Sequence, residues 1–314
     1  MTAATFSALS QARTGFVAGV AAYLLWGLFP LYWPLLEQAK PVEILAHRIV
    51  WSVVVLAIVL AATSGFRWAG SLGRRRAGLL ALAAALITIN WGVYISGVNS
   101  HHVVETSLGY FINPLVTVAL AVTLLRERLR RAQWAAVAIG ALAVIVLAVD
   151  YGRPPYISLT LACSFGLYGL VKKRVGLDGA QSLAVETAFL VLPALGYIVV
   201  AEARGTGTFT SEGAGHAALL AGGGIATAIP LILFGTAAIR VPLTTIGLLQ
   251  YLAPVLQFLI GVLIRGEAMP LSRLAGFALV WLALTVFTVD AIRALRRPLS
   301  PLPARSAPSA SPAR

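Results

Sequence analysis

The sequence has little charge, one cysteine and almost no lysine. Asp, Glu, Lys and Arg together make up 11% of its 314 residues, well under the share that covers an ordinary water-facing domain. Cys163 stands alone, which excludes an intrachain disulfide and any zinc or iron–sulfur centre built from several thiolates of one chain. Redox chemistry is set aside. No GxxxxGK[ST] phosphate loop occurs either, which points away from an ATP-driven machine, and no cofactor is expected.

What is present is apolar. Hydrophobic residues account for 59% of the chain, and the mean hydropathy of +0.87 belongs to a protein whose main solvent is lipid. A helix needs roughly 20 apolar residues to cross a hydrocarbon core about 30 Å thick. Ten such runs follow one another, at 15–36, 41–63, 77–97, 103–125, 131–150, 155–172, 180–201, 215–237, 241–264 and 271–292. A barrel would alternate inward and outward residues over segments of about ten, and the stretch from Leu79 to Ile89 has no such alternation. The expected fold class is an all-α integral membrane protein with ten transmembrane helices.

The net charge of +13, from 21 Arg and 3 Lys against 11 acids, would suggest nucleic acid in a soluble protein. Topology explains it better. With a cytoplasmic N-terminus, Arg13, the loops after spans 2, 4, 6 and 8, and the C-terminal tail hold 18 basic residues. The opposite side holds five, Lys40, Arg153, Arg204, Arg265 and Arg273, and Arg48 lies inside span 2. This excess predicts that segments 1–14 and 293–314 are both cytoplasmic. The first apolar run has a weak basic lead and no clean cleavage site, and so reads as a retained helix. The tail after Leu299, SPLPARSAPSASPAR, has no apolar face and is expected to stay disordered.

The chain carries a faint internal repeat. At a shift of 138, Thr106, Ser107 and Gly109 fall on Thr244, Thr245 and Gly247. At 140, Pro114 meets Pro254 and Glu127 meets Glu267. Two halves, 15–150 and 155–292, with five spans each enter the membrane in opposite senses. Such inverted repeats are characteristic of secondary transporters, because two similar halves facing opposite sides exchange inward-open and outward-open shapes at nearly equal energy. Duplication without transport is the alternative.

Polar groups inside spans are costly in lipid and therefore informative. An Arg at a helix centre costs about 2.5–3.5 kcal/mol on insertion scales. Arg48 sits in EILAHRIVW beside Glu43 and His47, which are spaced i, i+4. It reads either as an anion-recognising group on a substrate pathway or as one half of a structural ion pair with Glu105 or Glu186. Glu186, Glu105 and Glu43 are candidates for binding a coupling proton. His47 is a second titratable candidate or a packing residue. Asn90, Tyr110, Asn113, Gln250, Tyr251 and Gln257 are candidate pathway residues, with interhelical hydrogen bonding as the plainer reading. His101 and His102 read as solvated, and no metal site is expected. Pro30, Pro34, Pro114, Pro230 and Pro254 are expected to interrupt their spans. Glu127 and Glu267 are expected at the interface, capping the next helix or pairing with a nearby Arg.

The segments WGLFPLYW (26–33), EILAHRIVW (43–51), NW (90–91), HVVETSLGYFINPL (102–115) and GLLQYLAP (247–254) resemble the RarD subfamily in the EamA group of the drug/metabolite transporter superfamily. The resemblance runs from about residue 15 to 292. It implies two inverted five-helix EamA repeats in a bacterial inner membrane around a central cavity. Arg126 stands where the first repeat commonly has Gly, and His101 where a small residue is expected. The subfamily carries a chloramphenicol-sensitivity label, while related transporters move amino acids, nucleosides, sugars and drugs. The expected function is secondary active export of a small metabolite or drug-like solute, by proton coupling or exchange. Its partners are that unnamed solute and the lipid bilayer, with a homodimer left open and no nucleic acid. A membrane-embedded enzyme and a non-transporting receptor or scaffold are the competing classes.

Overall fold

A computed structural model describes residues 3–99, 103–149, 156–264 and 271–296. The sequence expectations at His101, His102 and Glu267, and for the tail beyond 296, lie outside those residues, as does the side chain of Glu105. Every regular element among the described residues is helical. In chain order these are α1 (Ala3–Gly27), α2 (Phe29–Tyr32), a 3-10 turn (Trp33–Leu36), α3 (Pro41–Ala62), a second 3-10 turn (Arg67–Ser71), α4 (Arg74–Asn99), α5 (Val103–Leu124), α6 (Arg131–Val149) and α7 (Tyr156–Val175). There follow α8 (Gly179–Ala203), α9 (Gly213–Arg240), α10 (Leu243–Leu249), α11 (Leu252–Leu259), a π turn (Ile260–Ile264) and α12 (Leu271–Arg296).

Among the described residues, five helical stretches are long and apolar enough to cross a membrane: Ser10–Leu36, Pro41–Ala62, Arg74–Tyr94, Gly179–Ala203 and Gly213–Arg240. Gly109–Leu124 and Arg131–Ile145 are shorter apolar helices. On α3, Glu43, His47, Ser52, Leu56 and Leu60 are buried, while Val54 and Ile58 are exposed. A helix that offers aliphatic side chains outward and keeps its polar groups inward is built for an apolar solvent.

The proline expectations divide. Pro30 and Pro34 coincide with the break of the first run into α1, α2 and a 3-10 turn. The chain bends at Gln250 and Tyr251 just before Pro254, separating α10 from α11. α5 and α9, by contrast, run unbroken through Pro114 and Pro230, since neighbouring helices restrain a backbone that has lost one hydrogen bond. α1 also starts at Ala3, ahead of the apolar run, because AATFSALSQA is rich in good helix formers.

The packing crosses between the two halves of the chain. α3 lies along α8 and α9, α1 along α9 and α11, α5 along α7 and α10, and α6 along α12. α3 and α9 approach closely at Gly224, where an added Cβ would lie 2.5 Å from Trp51 backbone and 2.8 Å from Ser52 N. Small residues permit such contacts. Gly224→Ala is expected to lower stability by about 1–3 kcal/mol through overpacking, read as an earlier thermal melt of the solubilised protein.

Arg126 leaves α5 with φ 55°, a left-handed conformation that costs an L residue roughly 1–2 kcal/mol and costs Gly nothing. The turn lets Glu127 N–H return to Ala121 O (3.1 Å) and sends its carboxylate toward α10. Arg126→Gly is expected to raise the melting temperature by a few degrees.

Candidate functional site

A cavity of about 300 Å3 opens where α1, α3, α4, α5, α7, α9 and the α10–α11 bend converge. Eight of its 21 lining residues are aromatic, among them Trp26, Phe29, Trp33, Trp91 and Phe165. Arg48 is the one charged side chain among its described lining residues. The inward face of α3 brings the guanidinium here, with Cζ 4.7 Å from the Trp33 ring centroid and 5.0 Å from that of Trp91. Its Nε donates to Thr227 Oγ1 (2.8 Å), and Thr227 in turn donates to Gly223 O (2.7 Å). No described carboxylate pairs with Arg48; Glu186, one of its two expected partners, is engaged elsewhere.

The amides around the cavity are half committed. Asn90 Nδ2 donates to Leu161 O (2.9 Å) and Ser164 Oγ (3.0 Å). Gln257 Nε2 donates to Trp26 O (3.3 Å), and Gln250 Nε2 to Thr117 Oγ1 (3.2 Å). Asn113 Oδ1 accepts from Thr117 (3.5 Å). Tyr110, 39% exposed, faces the open space, with Tyr94 edge-on at 6.1 Å. Six of the eight pathway candidates thus line one cavity: Arg48, Asn90, Tyr110, Asn113, Gln250 and Gln257. Tyr251 does not; it is buried, and it packs where a Cβ on Gly140 of α6 would collide with its ring and hydroxyl.

His47 also points away from the cavity. Its ring stacks on Phe209 (4.7 Å, 17°), and both ring nitrogens are buried without a hydrogen-bond partner among the described residues. Nearby, Glu43 Oε1 accepts from Thr208 N (2.5 Å) and Thr208 Oγ1 (3.1 Å), and Thr208 Oγ1 meets His216 Nε2 (2.8 Å). Glu43 Oε2 has no partner among the described residues. His216 comes from α9 and carries no spacing signal in the sequence.

On the far side of the aromatic wall lies a second polar cluster. Phe165 contacts Tyr168 (5.8 Å), whose hydroxyl donates to Glu186 Oε2 (2.9 Å). Lys172 Nζ lies 2.7 Å from Glu186 Oε1 and 2.6 Å from Ser182 Oγ, and Ser182 Oγ donates to the same carboxylate oxygen (2.8 Å). Lys172 and Glu186 are 2% and 1% exposed, so the ion pair is sealed and fully bonded. Sequence reasoning places Lys172 among the loop cations; the structure buries it in the last turn of α7.

Glu127 corrects another expectation. Its oxygens accept from Leu243 N (2.9 Å) and Thr244 N (3.0 Å), capping α10 rather than the next helix, α6. Its ionic neighbour is Lys173 (3.9 Å) and not an arginine.

The EamA-like transporter family matches residues 13–149. Protein RarD of Streptomyces exfoliatus is 57% identical across 97% of this chain and 98% of its own length. The chain belongs to the RarD subfamily of EamA-like transporters. Two other relatives are the uncharacterized transporter YojE of Bacillus subtilis (strain 168), 44% identical over 90% of this chain and 96% of its own, and protein RarD of Escherichia coli (strain K12), 37% identical over 91% and 98%. Among solved structures, a crystal structure of a protein superposes with a TM-score of 0.67 at 20% identity, covering 91% of this chain and 99% of the other, a likeness of fold. With RarD relatives along almost its full length, the chain is a multi-pass membrane transporter of the drug/metabolite type.

Proposed function

We propose that this chain is a secondary active exporter of a small metabolite or drug-like solute, working by alternating access in a bacterial inner membrane. In this reading ten helices form two inverted five-helix EamA repeats, 15–150 and 155–292, with both termini cytoplasmic. The observation that carries it is Arg48, a cation with no carboxylate partner among the described residues, held over two indoles in a cavity walled by both halves. A cation placed in the membrane without a counter-charge is costly, and a solute that supplies the missing charge explains its presence.

Proton coupling is part of the proposal. Of the three acidic candidates, Glu186 already has its ion pair and hydrogen bonds filled. Among the described residues Glu43 keeps one oxygen without a hydrogen bond, as do both ring nitrogens of the nearby His47, which favours Glu43 as the proton carrier. Glu105 remains a candidate from sequence alone.

The test compares metabolites in spent medium and cell extract, by untargeted mass spectrometry, for cells overproducing wild type, cells overproducing Arg48→Ala and a deletion strain. A compound enriched outside only with the wild type is expected. Identical media from all three strains would remove the export reading. The identified compound, loaded into proteoliposomes, should then leave faster under an imposed pH gradient.

A further inference from the structure

We propose that the cavity takes a singly charged carboxylate carried on a flat aromatic body, without an amino group and with a ring N–H or O–H donor. The proposal rests on the transporter reading and names the solute class of its central site.

Charge decides the head group. Arg48 spends Nε on Thr227 (2.8 Å), and no hydrogen bond or ion pair links its two terminal nitrogens to a described residue. Those nitrogens are a planar pair of donors whose geometry fits both oxygens of a carboxylate at once. A phosphate monoester brings close to two charges at neutral pH, and no second cation lines the described wall to meet the other. A zwitterionic amino acid brings an ammonium group. No Asp or Glu lines the described wall to receive it, and Arg48 repels it.

The wall decides the body. Trp33 and Trp91 stand beside the guanidinium, and Trp26 and Phe165 meet edge to face at 5.7 Å. Ring faces and edges of this kind pack best against another planar π system. The volume of about 300 Å3 stands at the small end of ligand sites, which run roughly 300–1,000 Å3.

The amides decide the polar tail. Asn90 and Gln257 use their N–H groups on backbone and hydroxyl oxygens, which leaves their carbonyl oxygens to accept from the solute. An acceptor in a dry site discriminates strongly for a ligand that carries the matching donor.

Isothermal titration of the full-length protein in lipid nanodiscs tests this with four probes: indole-3-acetate, its neutral isostere indole-3-acetamide, tryptophan and phenyl phosphate. Indole-3-acetate is expected to bind at least tenfold tighter than each of the others, and Arg48→Lys to weaken it at least tenfold by removing the planar fork. Equal binding of the acetamide overturns the carboxylate assignment. Tryptophan as tight as indole-3-acetate overturns the exclusion of ammonium, and tighter phenyl phosphate overturns the single charge. Binding without counterflow in proteoliposomes would leave this site standing and overturn the transport reading. Flux of another solute with no indole-3-acetate binding would do the reverse.

Discussion

Arg48→Gln is expected to abolish transport while leaving the protein as stable as the wild type, or more so. The two halves of that expectation have one cause. A structural arginine is held by a carboxylate, and its loss strands a buried charge; Arg48 has no such partner among the described residues, only Thr227 and two indoles. Removing a cation from the membrane interior relieves a cost of about 2.5–3.5 kcal/mol on insertion scales, against lost contacts with Trp33 and Trp91 nearer the exposed-site value of about 0.5–1 kcal/mol each in a cavity open to solvent. The melting temperature in detergent should therefore stay level or rise. Transport should fall, because the solute loses a charge-assisted, two-point contact, and truncating one side of a buried charge pair costs about 2–5 kcal/mol. At about 1.4 kcal/mol per tenfold that is a drop of roughly thirtyfold or more in initial flux at subsaturating solute. A melt lowered by several degrees, together with lost flux, would make Arg48 a structural residue.

The pathway is legible where one-dimensional signals are strong. Arg48 stands out because lipid penalises charge, and Asn90, Asn113, Gln250 and Gln257 because a span rarely keeps an amide without use for it. The same rule does not say which way a side chain turns. His47 is next to Arg48 in sequence, yet about 100° of helical rotation separates neighbours, and His47 goes to Phe209 and the Glu43 cluster instead. Tyr251 sits at the α10–α11 bend, and its ring goes to Gly140 of α6 instead of the cavity.

Long-range partners are the least readable. Glu127 looks like a local cap, but its carboxylate closes a helix more than 110 residues later, at Leu243 and Thr244. Helix positions follow from apolar run length, while the breaks need tertiary context. Pro114 and Pro230 leave α5 and α9 continuous, and Pro254 coincides with a bend, although all three present the same chemistry to their own carbonyls. Lys172 escapes the sequence for a related reason. A basic triplet KKR at a span end reads as an interfacial cluster; only the approach of α8 carries Glu186 and Ser182 to its first member.

Breaking the Lys172–Glu186 pair should be the most destabilising change of charge in the molecule, and restoring neutrality should rescue it. Both side chains are sealed from solvent, and each oxygen of Glu186 is bonded. Lys172→Met leaves a buried carboxylate and Glu186→Gln a buried ammonium, so each single change is expected to cost about 3–5 kcal/mol. The double variant keeps a side-chain amide at position 186 as a partner for Tyr168 and Ser182 and buries no charge; it should return to within about 1 kcal/mol of wild type. Flux then separates two roles for Glu186. If the pair only locks α7 to α8, the double variant should carry solute at a rate close to wild type and with the same response to a pH gradient. If Glu186 takes and releases a proton during transport, the double variant should be stable and yet lose its response to the gradient. Its sealed, fully bonded setting argues for the first outcome. Releasing Lys172 to protonate Glu186 would disrupt the bonds from Tyr168, Lys172 and Ser182 to one carboxylate without opening a path to water.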